Sequence, residues 1–318
     1  SYTFTITVTD VSGKEEKTVR KIVVDTTSPN APSGTITTSK KTIGGEDWYN
    51  TKILSIEVAS SDNKPAGVET NSGIASVSYS TVAYDAADPA KERNWSDLTY
   101  ASGKYSGNVQ LPADGKNQKI NLRVNDIAGN VIGEKDNTHF ISCNVDSTAP
   151  DTVSVTKVDG EADVTSKLVN GRNDLVLNVT AQDAGTDNTG IKSVDVSGIG
   201  INAVNAVGSP KKADGTAAAS SAETSYWEIT IPKAKLGSGN INLKIQDNAE
   251  NINLYTSDVQ LSFDNKAPES RKITLPDDAD SSTSDVDVNK TFEISGTTSD
   301  NQAISSVDIC YYIDALPA

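Results

Sequence analysis

The sequence predicts an all-β chain of tandem immunoglobulin-like β-sandwiches forming an elongated rod, with partial domains at both ends, and three observations carry that prediction. Short stretches alternate apolar and polar residues at the two-residue period of a half-buried strand, and none of useful length follows the helical period. Turn residues separate these stretches at regular intervals. One pair of motifs also recurs: Asp126-Ile127-Ala128-Gly129-Asn130 with Asp146-Ser147-Thr148-Ala149-Pro150 has a counterpart in Asp10-Val11-Ser12-Gly13 with Asp25-Thr26-Thr27-Ser28-Pro29, and another in Asp247-Asn248-Ala249-Glu250-Asn251 with Asp264-Asn265-Lys266-Ala267-Pro268. Measured on the prolines Pro29, Pro150 and Pro268, the period is 121 and then 118 residues, too long for a solenoid unit and right for one small domain per repeat.

The elements follow in order. Residues 1–27 are read as the closing hairpin of a truncated domain, with Tyr2 to Val8 alternating, a turn at Ser12-Gly13, and a second strand from Val19 to Val24. A complete domain is expected over 28–147. Its strands are Ile53 to Val58, Ile74 to Tyr79, Tyr105 to Leu111, Lys119 to Val124 and Asn137 to Val145, while Asp85 to Asn94, polar and broken by Pro89, is a loop or short helical turn. A second domain, 148–266, runs in step: Leu175 to Val179, Ile191 to Val196 and Tyr226 to Pro232 match the first domain, and Gly208 to Ser225 reads as a surface loop. The stretch 267–318 opens a further truncated domain, with strands expected at Thr291 to Ile294 and Ile304 to Ile309. About seven strands in roughly 120 residues is the profile of the immunoglobulin-like sandwich; the Cys-Trp-Cys signature of antibody domains is absent. Since the chain starts and stops inside a repeat, it reads as an excerpt of something longer.

Composition narrows the function. At a formal charge of −15, nucleic acid and anionic membrane surfaces are unfavourable partners, and no run is apolar and long enough for direct membrane insertion. Of the two cysteines, Cys143 sits on the apolar side of an alternating strand and reads as a small buried hydrophobe; Cys310 lies in another repeat at a non-equivalent place, which argues against a disulfide. His139 belongs to no nucleophile or zinc motif, no phosphate loop appears, and acidic pairs in so acidic a chain do not define a hydrolase, so no enzyme is expected. Trp227 reads as core, whereas Trp48 and Trp95 flank polar loops and are weak ligand candidates.

The Asp126 to Asn130 stretch leading to Val145-Asp146-Ser147-Thr148-Ala149-Pro150 resembles the repeat of bacterial immunoglobulin-like domains in large cell-surface adhesins and related surface proteins. The resemblance extends through the repeats over essentially the whole chain. It implies an extracellular, cell-surface protein of structural and adhesive role. It also implies Ca²⁺ at the linkers, neighbouring repeats of the same protein as partners, and a host or cell-surface protein or glycan as ligand.

The acidic residues support a cation on their own terms. In a sandwich of this topology, the loop after the second strand and the loop before the last strand lie at the domain's entry end, where the preceding domain's last strand finishes. Asp25, Asp62, Asp126 and Asn130 are therefore expected together at the first linker, and Asp146, Asp183, Asp187, Asp247 and Asn251 at the second. Asp264 and Asp300 belong to a third set. Converging carboxylates repel unless a cation joins them, and Ca²⁺ accepts six to eight oxygens in flexible geometry. A second reading of the same residues is turn chemistry, with Asp126 bonding its own turn and Gly129 supplying a positive φ. Glu250 replaces that glycine in the next repeat, Lys14 stands where Asn130 would be in the hairpin, and Gln302-Ala303-Ile304 replaces Ser72-Gly73-Ile74 and Thr189-Gly190-Ile191. Two further functions fit the pattern: a glycan- or protein-binding module using the Asp85 to Trp95 loop, and an accessory stalk of a large secreted carbohydrate-active enzyme.

Overall fold

The computed structural model describes residues 2–64, 71–185, 187–220, 224–274, 293 and 295–308. An isolated antiparallel hairpin, β1 (Tyr2–Thr9) and β2 (Glu15–Ile22), comes first. Next come β3 (Ser33–Ile36), β4 (Lys41–Ile43), β5 (Glu46–Tyr49), β6 (Ile53–Ala59), β7 (Ile74–Ser80), β8 (Ser96–Asp97), β9 (Thr99–Ala101), β10 (Lys104–Gln110), β11 (Gly115–Asp126), β12 (Val131–Ile132) and β13 (Phe140–Val145). The order β3-β6-β10-β9 forms one sheet and β4-β5-β13-β11-β7-β8 the other, with β12 paired to β11. This is the strand arrangement of the immunoglobulin sandwich, four strands facing the layer that carries the third, sixth and seventh. Strand β5 joins β13 in parallel through Asn144 opposite Trp48 and Val145 opposite Tyr49.

Alternation produces the layers. In β6, Leu54, Ile56 and Val58 are buried while Ile53 and Ser55 face out, and β11 supplies Ile120, Leu122 and Val124 from the opposite sheet. Each such side chain contributes roughly 1.5–3 kcal/mol by leaving water.

A second hydrophobic cluster, residues 158 to 261, is built the same way. Its strands are β14 (Thr152–Val158), β15 (Glu161–Ala162), β16 (Ser166–Val169), β17 (Leu175–Gln182), β18 (Ile191–Ile199), β19 (Asn202–Lys211), β20 (Tyr226–Ile231), β21 (Gly239–Asp247) and β22 (Ile252–Phe263). β16 joins β22 in parallel as β5 joins β13. Strand β19, which the alternation in the sequence did not reveal, bridges the two layers: Asn202 to Val207 pair with β18, and Gly208 to Lys211 pair with β20. The expected surface loop at Gly208 to Ser225 therefore begins as strand. Gly208 sits at the change of sheet, where an added Cβ would stand 2.1 Å from the Val194 carbonyl oxygen.

Beyond β22, β23 (Glu269–Thr274) pairs with β24 (Ser295–Ser299). Residues 304–308 carry no strand, unlike the expectation for Ile304 to Ile309; of Thr291 to Ile294 only Glu293 lies among the described residues. The described residues hold no α-helix, only a single 3₁₀ turn at Lys233–Lys235, and no helix among them is long and apolar enough to cross a membrane.

Candidate metal centre

Two groups of three aspartates converge. Asp25, Asp62 and Asp126 form one and Asp146, Asp183 and Asp247 the other, with one carboxylate oxygen of each lying within 4.8 Å of the others in its group. The corresponding members of the two groups are each 121 residues apart, so the repeat builds the same site twice. Each member comes from a different place. Asp146 directly follows β13, Asp183 directly follows β17, and Asp247 ends β21. Hence a strand end of one sandwich meets two loops of the next.

Hydrogen bonds fix each carboxylate. Asp146 Oδ2 accepts from the Thr189 amide at 2.8 Å and the Thr189 hydroxyl at 2.7 Å. Asp183 accepts from the Ala184 amide at 2.9 Å and the Gly190 amide at 2.8 Å. Asp247 accepts from the Asn251 amide at 2.7 Å and from Asn251 Nδ2 at 2.8 Å. An ionised carboxylate offers about four lone-pair sites, so these bonds orient the groups without exhausting them. The first junction repeats the scheme: the Ser72 amide donates to Asp25 at 3.0 Å, the Gly73 amide to Asp62 at 2.7 Å, and Asn130 Nδ2 to Asp126 at 2.7 Å.

Asn130 and Asn251 lie at the junctions, where their side-chain nitrogens act as clasps. Asn251 Nδ2 also donates to the backbone oxygen of Asp146 at 2.8 Å, and Asn130 Nδ2 to that of Asp25 at 3.2 Å. The amide nitrogen thereby ties the loop between β21 and β22 to the end of the preceding sandwich. Asp187 lies outside the trio; it lines a cleft of about 370 Å³ with Asp146, Lys52 and Asp114. Among the described residues, Asp264 and Asp300 are not brought together with a third acid; they accept the local amides of Lys266 and Gln302. Ser72 and Thr189 were visible in the repeat pattern, but their role as donors to the linker aspartate follows only from the fold.

The two junctions differ electrostatically. Asp146 and Asp247 are 1% and 0% exposed, and none of the ion pairs among the described residues includes any of the six aspartates. Burial, and then the Asp146 and Asp247 charges, push Asp183 up to about 7. Burial lifts Asp247 to about 6 against the Asn251 bonds, with Asp146 adding to the rise. Asp25, by contrast, is held below its ordinary value by the Thr27 and Ser72 amides. The second junction also carries an ion pair between sandwiches. Glu250 adopts φ 75° where Gly129 has φ 95°, and its carboxylate lies 2.8 Å from Lys41 and 3.5 Å from Lys192.

No family model matches the chain, and no curated protein matches it. Among solved structures, the titin domains z1z2 in complex with telethonin are 13% identical, with 76% of this chain and 100% of that chain covered, at a TM-score of 0.22. The Bacteroides ovatus mixed-linkage glucan utilization protein SGBP-B, in complex with a mixed-linkage heptasaccharide, is 10% identical, covering 86% of this chain and 55% of that one, at 0.18. A protein described as membrane anchored from Corynebacterium diphtheriae is 10% identical, covering 75% and 60%, at 0.21. Likenesses this weak transfer neither ligand nor partner; the sandwich fold rests on the strand order itself.

The remaining candidates resolve by burial. Trp227 is core at 2% exposure, as expected, and Trp48, expected at a loop, lies within β5 and is buried at 3%, which removes it as a ligand platform. Trp95 is half-buried with the guanidiniums of Arg93 and Arg123 at 4.5 and 4.7 Å from its ring centre. Cys143 is buried, and that burial pushes its thiol up to about 11; Cys310 lies outside the described residues. His139 precedes β13 and sits 3.1 Å from Asp136.

Proposed function

We propose that the chain is a non-enzymatic structural and adhesive segment of a bacterial surface protein, built from bacterial immunoglobulin-like repeats whose junctions are stiffened by Ca²⁺. The convergence of Asp146, Asp183 and Asp247 supports this reading above all. Turn chemistry accounts for Asp247 and Asn251, but it needs no third carboxylate arriving from the preceding sandwich. Three converging carboxylates, two of them buried, are costly without a counter-cation, and a divalent ion offsets the cost.

The donor set suits a hard ion. The trios contain neither histidine nor cysteine, which disfavours zinc. Ligands at Ca²⁺ distances of about 2.3–2.6 Å stand at most ~5 Å apart across the ion, and the oxygens here fall within 4.8 Å. Bound Ca²⁺ would supply charge compensation; Thr189, Gly190 and Asn251 hold the carboxylates in place for it. Calorimetric Ca²⁺ titration tests the proposal, with dissociation constants on the order of 10⁻⁴–10⁻³ M expected for an extracellular module. Absence of binding at 10-fold higher concentrations, about 10 mM, overturns it.

A further inference from the structure

The two sandwiches part company between β7 and β10. Where the second spans that edge with the single strand β19, the first has residues 81–95 without a strand, followed by the short β8, which pairs with β7, and β9, which pairs with β10. This irregular segment is held by buried polar groups. Arg93, 6% exposed, donates through Nε to the Val82 carbonyl at 3.2 Å and through Nη1 to the carbonyls of Gly133, Glu134 and Asp136 at 3.1, 2.9 and 3.1 Å. Asn121 Nδ2 donates to the Ser80 and Val82 carbonyls, and Asn137 brackets Tyr84 by accepting from its amide at 2.7 Å and donating to its carbonyl at 2.8 Å. A loop fixed this way is ordered before any ligand arrives, which lowers the entropy lost on binding.

Beside it lies a cleft of about 380 Å³, lined by Tyr84, Lys91, Arg93, Asn94, Trp95 and Lys135 together with Pro89, Glu92 and Glu134. Its size falls in the range of small-ligand sites, roughly 300–1,000 Å³. Three cations against two carboxylates make it locally positive on a chain of net charge −15. Buried Arg93 Nη2 has no hydrogen-bond acceptor among the described residues, and neither has the Nε of neighbouring Arg123. Asn94, in the lining of the cleft, holds φ 47°, a left-handed conformation.

We propose that this cleft binds a carboxylate-bearing saccharide. The exposed Lys91 and Lys135 meet the carboxylate while buried Arg93 adds its charge from beneath, the Asn94 amide meets ring hydroxyls, and the edges of Tyr84 and Trp95 meet the apolar face of the ring. An acidic peptide would satisfy the charges but leave the aromatic wall unused.

The test is calorimetry of the whole chain in chelator, so that no Ca²⁺ links sugar to protein and the outcome is separate from the metal sites. Probes are trigalacturonate, neutral cellotriose and hexaglutamate. Trigalacturonate alone should bind, and the Lys91→Ala/Lys135→Ala pair should weaken it on the order of tenfold or more at an unchanged melting temperature. Asn94→Gly, which accommodates the left-handed backbone, should weaken it too. No heat with trigalacturonate, equal binding of cellotriose or hexaglutamate, or indifference to both variants overturns the proposal.

Discussion

Asp183 carries the sharpest test at the scale of a residue. Its carboxyl is raised to about 7 by burial and by Asp146 and Asp247, against an unfolded value of about 3.9. A raised folded value means that stability is fully present below the unfolded value and is lost as pH rises through the folded one. In chelator, the melting temperature should therefore fall between pH 5 and 8, through the Asp247 and Asp183 values of about 6 and 7. Millimolar Ca²⁺ should flatten or reverse that fall. Asp183→Asn separates ion binding from turn-making: it should raise the melting temperature in chelator at pH 8, by relieving repulsion, and cut the Ca²⁺-induced rise back to the share of the first junction. A purely turn-forming Asp183 would leave the Ca²⁺ response the same in both proteins, by differential scanning calorimetry.

Among elements, β19 is the one most exposed to a single change. Its passage from one sheet to the other depends on Gly208, since a Cβ there meets the Val194 carbonyl oxygen at 2.1 Å. Gly208→Val should cost on the order of 1–3 kcal/mol or more, read from urea unfolding, because the strand must shift or leave one sheet. The clasp between elements is milder. Asn251→Ala removes donors to both Asp247 and the Asp146 carbonyl. About 1–2 kcal/mol of stability should go with them, together with a weaker Ca²⁺ affinity, because Asp247 loses its orientation.

For the whole molecule, the prediction concerns the junctions. A site with a dissociation constant near 1 mM adds about 1.4 kcal/mol at 10 mM Ca²⁺ by binding only the folded form. Small-angle scattering should show a narrower spread of dimensions with Ca²⁺ than with chelator, and limited proteolysis should slow at the linkers. The second junction should respond more strongly than the first, since its aspartates are the ones that burial and mutual repulsion perturb and it alone carries the Lys41–Glu250 pair. Identical scattering and melting in both conditions would remove Ca²⁺ from the picture.

By itself the sequence determined the layers and the members of the two aspartate trios. Alternation at period two made Leu54, Ile56 and Val58 a buried row, and the recurrence of Asp25, Asp62 and Asp126 at Asp146, Asp183 and Asp247 picked out both trios. It could do so because burial periodicity and repeat spacing are local or self-referential signals. Tertiary structure decided the rest. Trp48 looks like a loop residue until β5 joins β13, Asn130 and Asn251 show no sign of a clasp until their amides meet a carbonyl about a hundred residues earlier, and β19 looks like a surface segment until two sheets present their edges to it. Each depends on a partner distant in the chain, and hydrogen-bonding partners at such distance leave no periodic trace in the residues themselves.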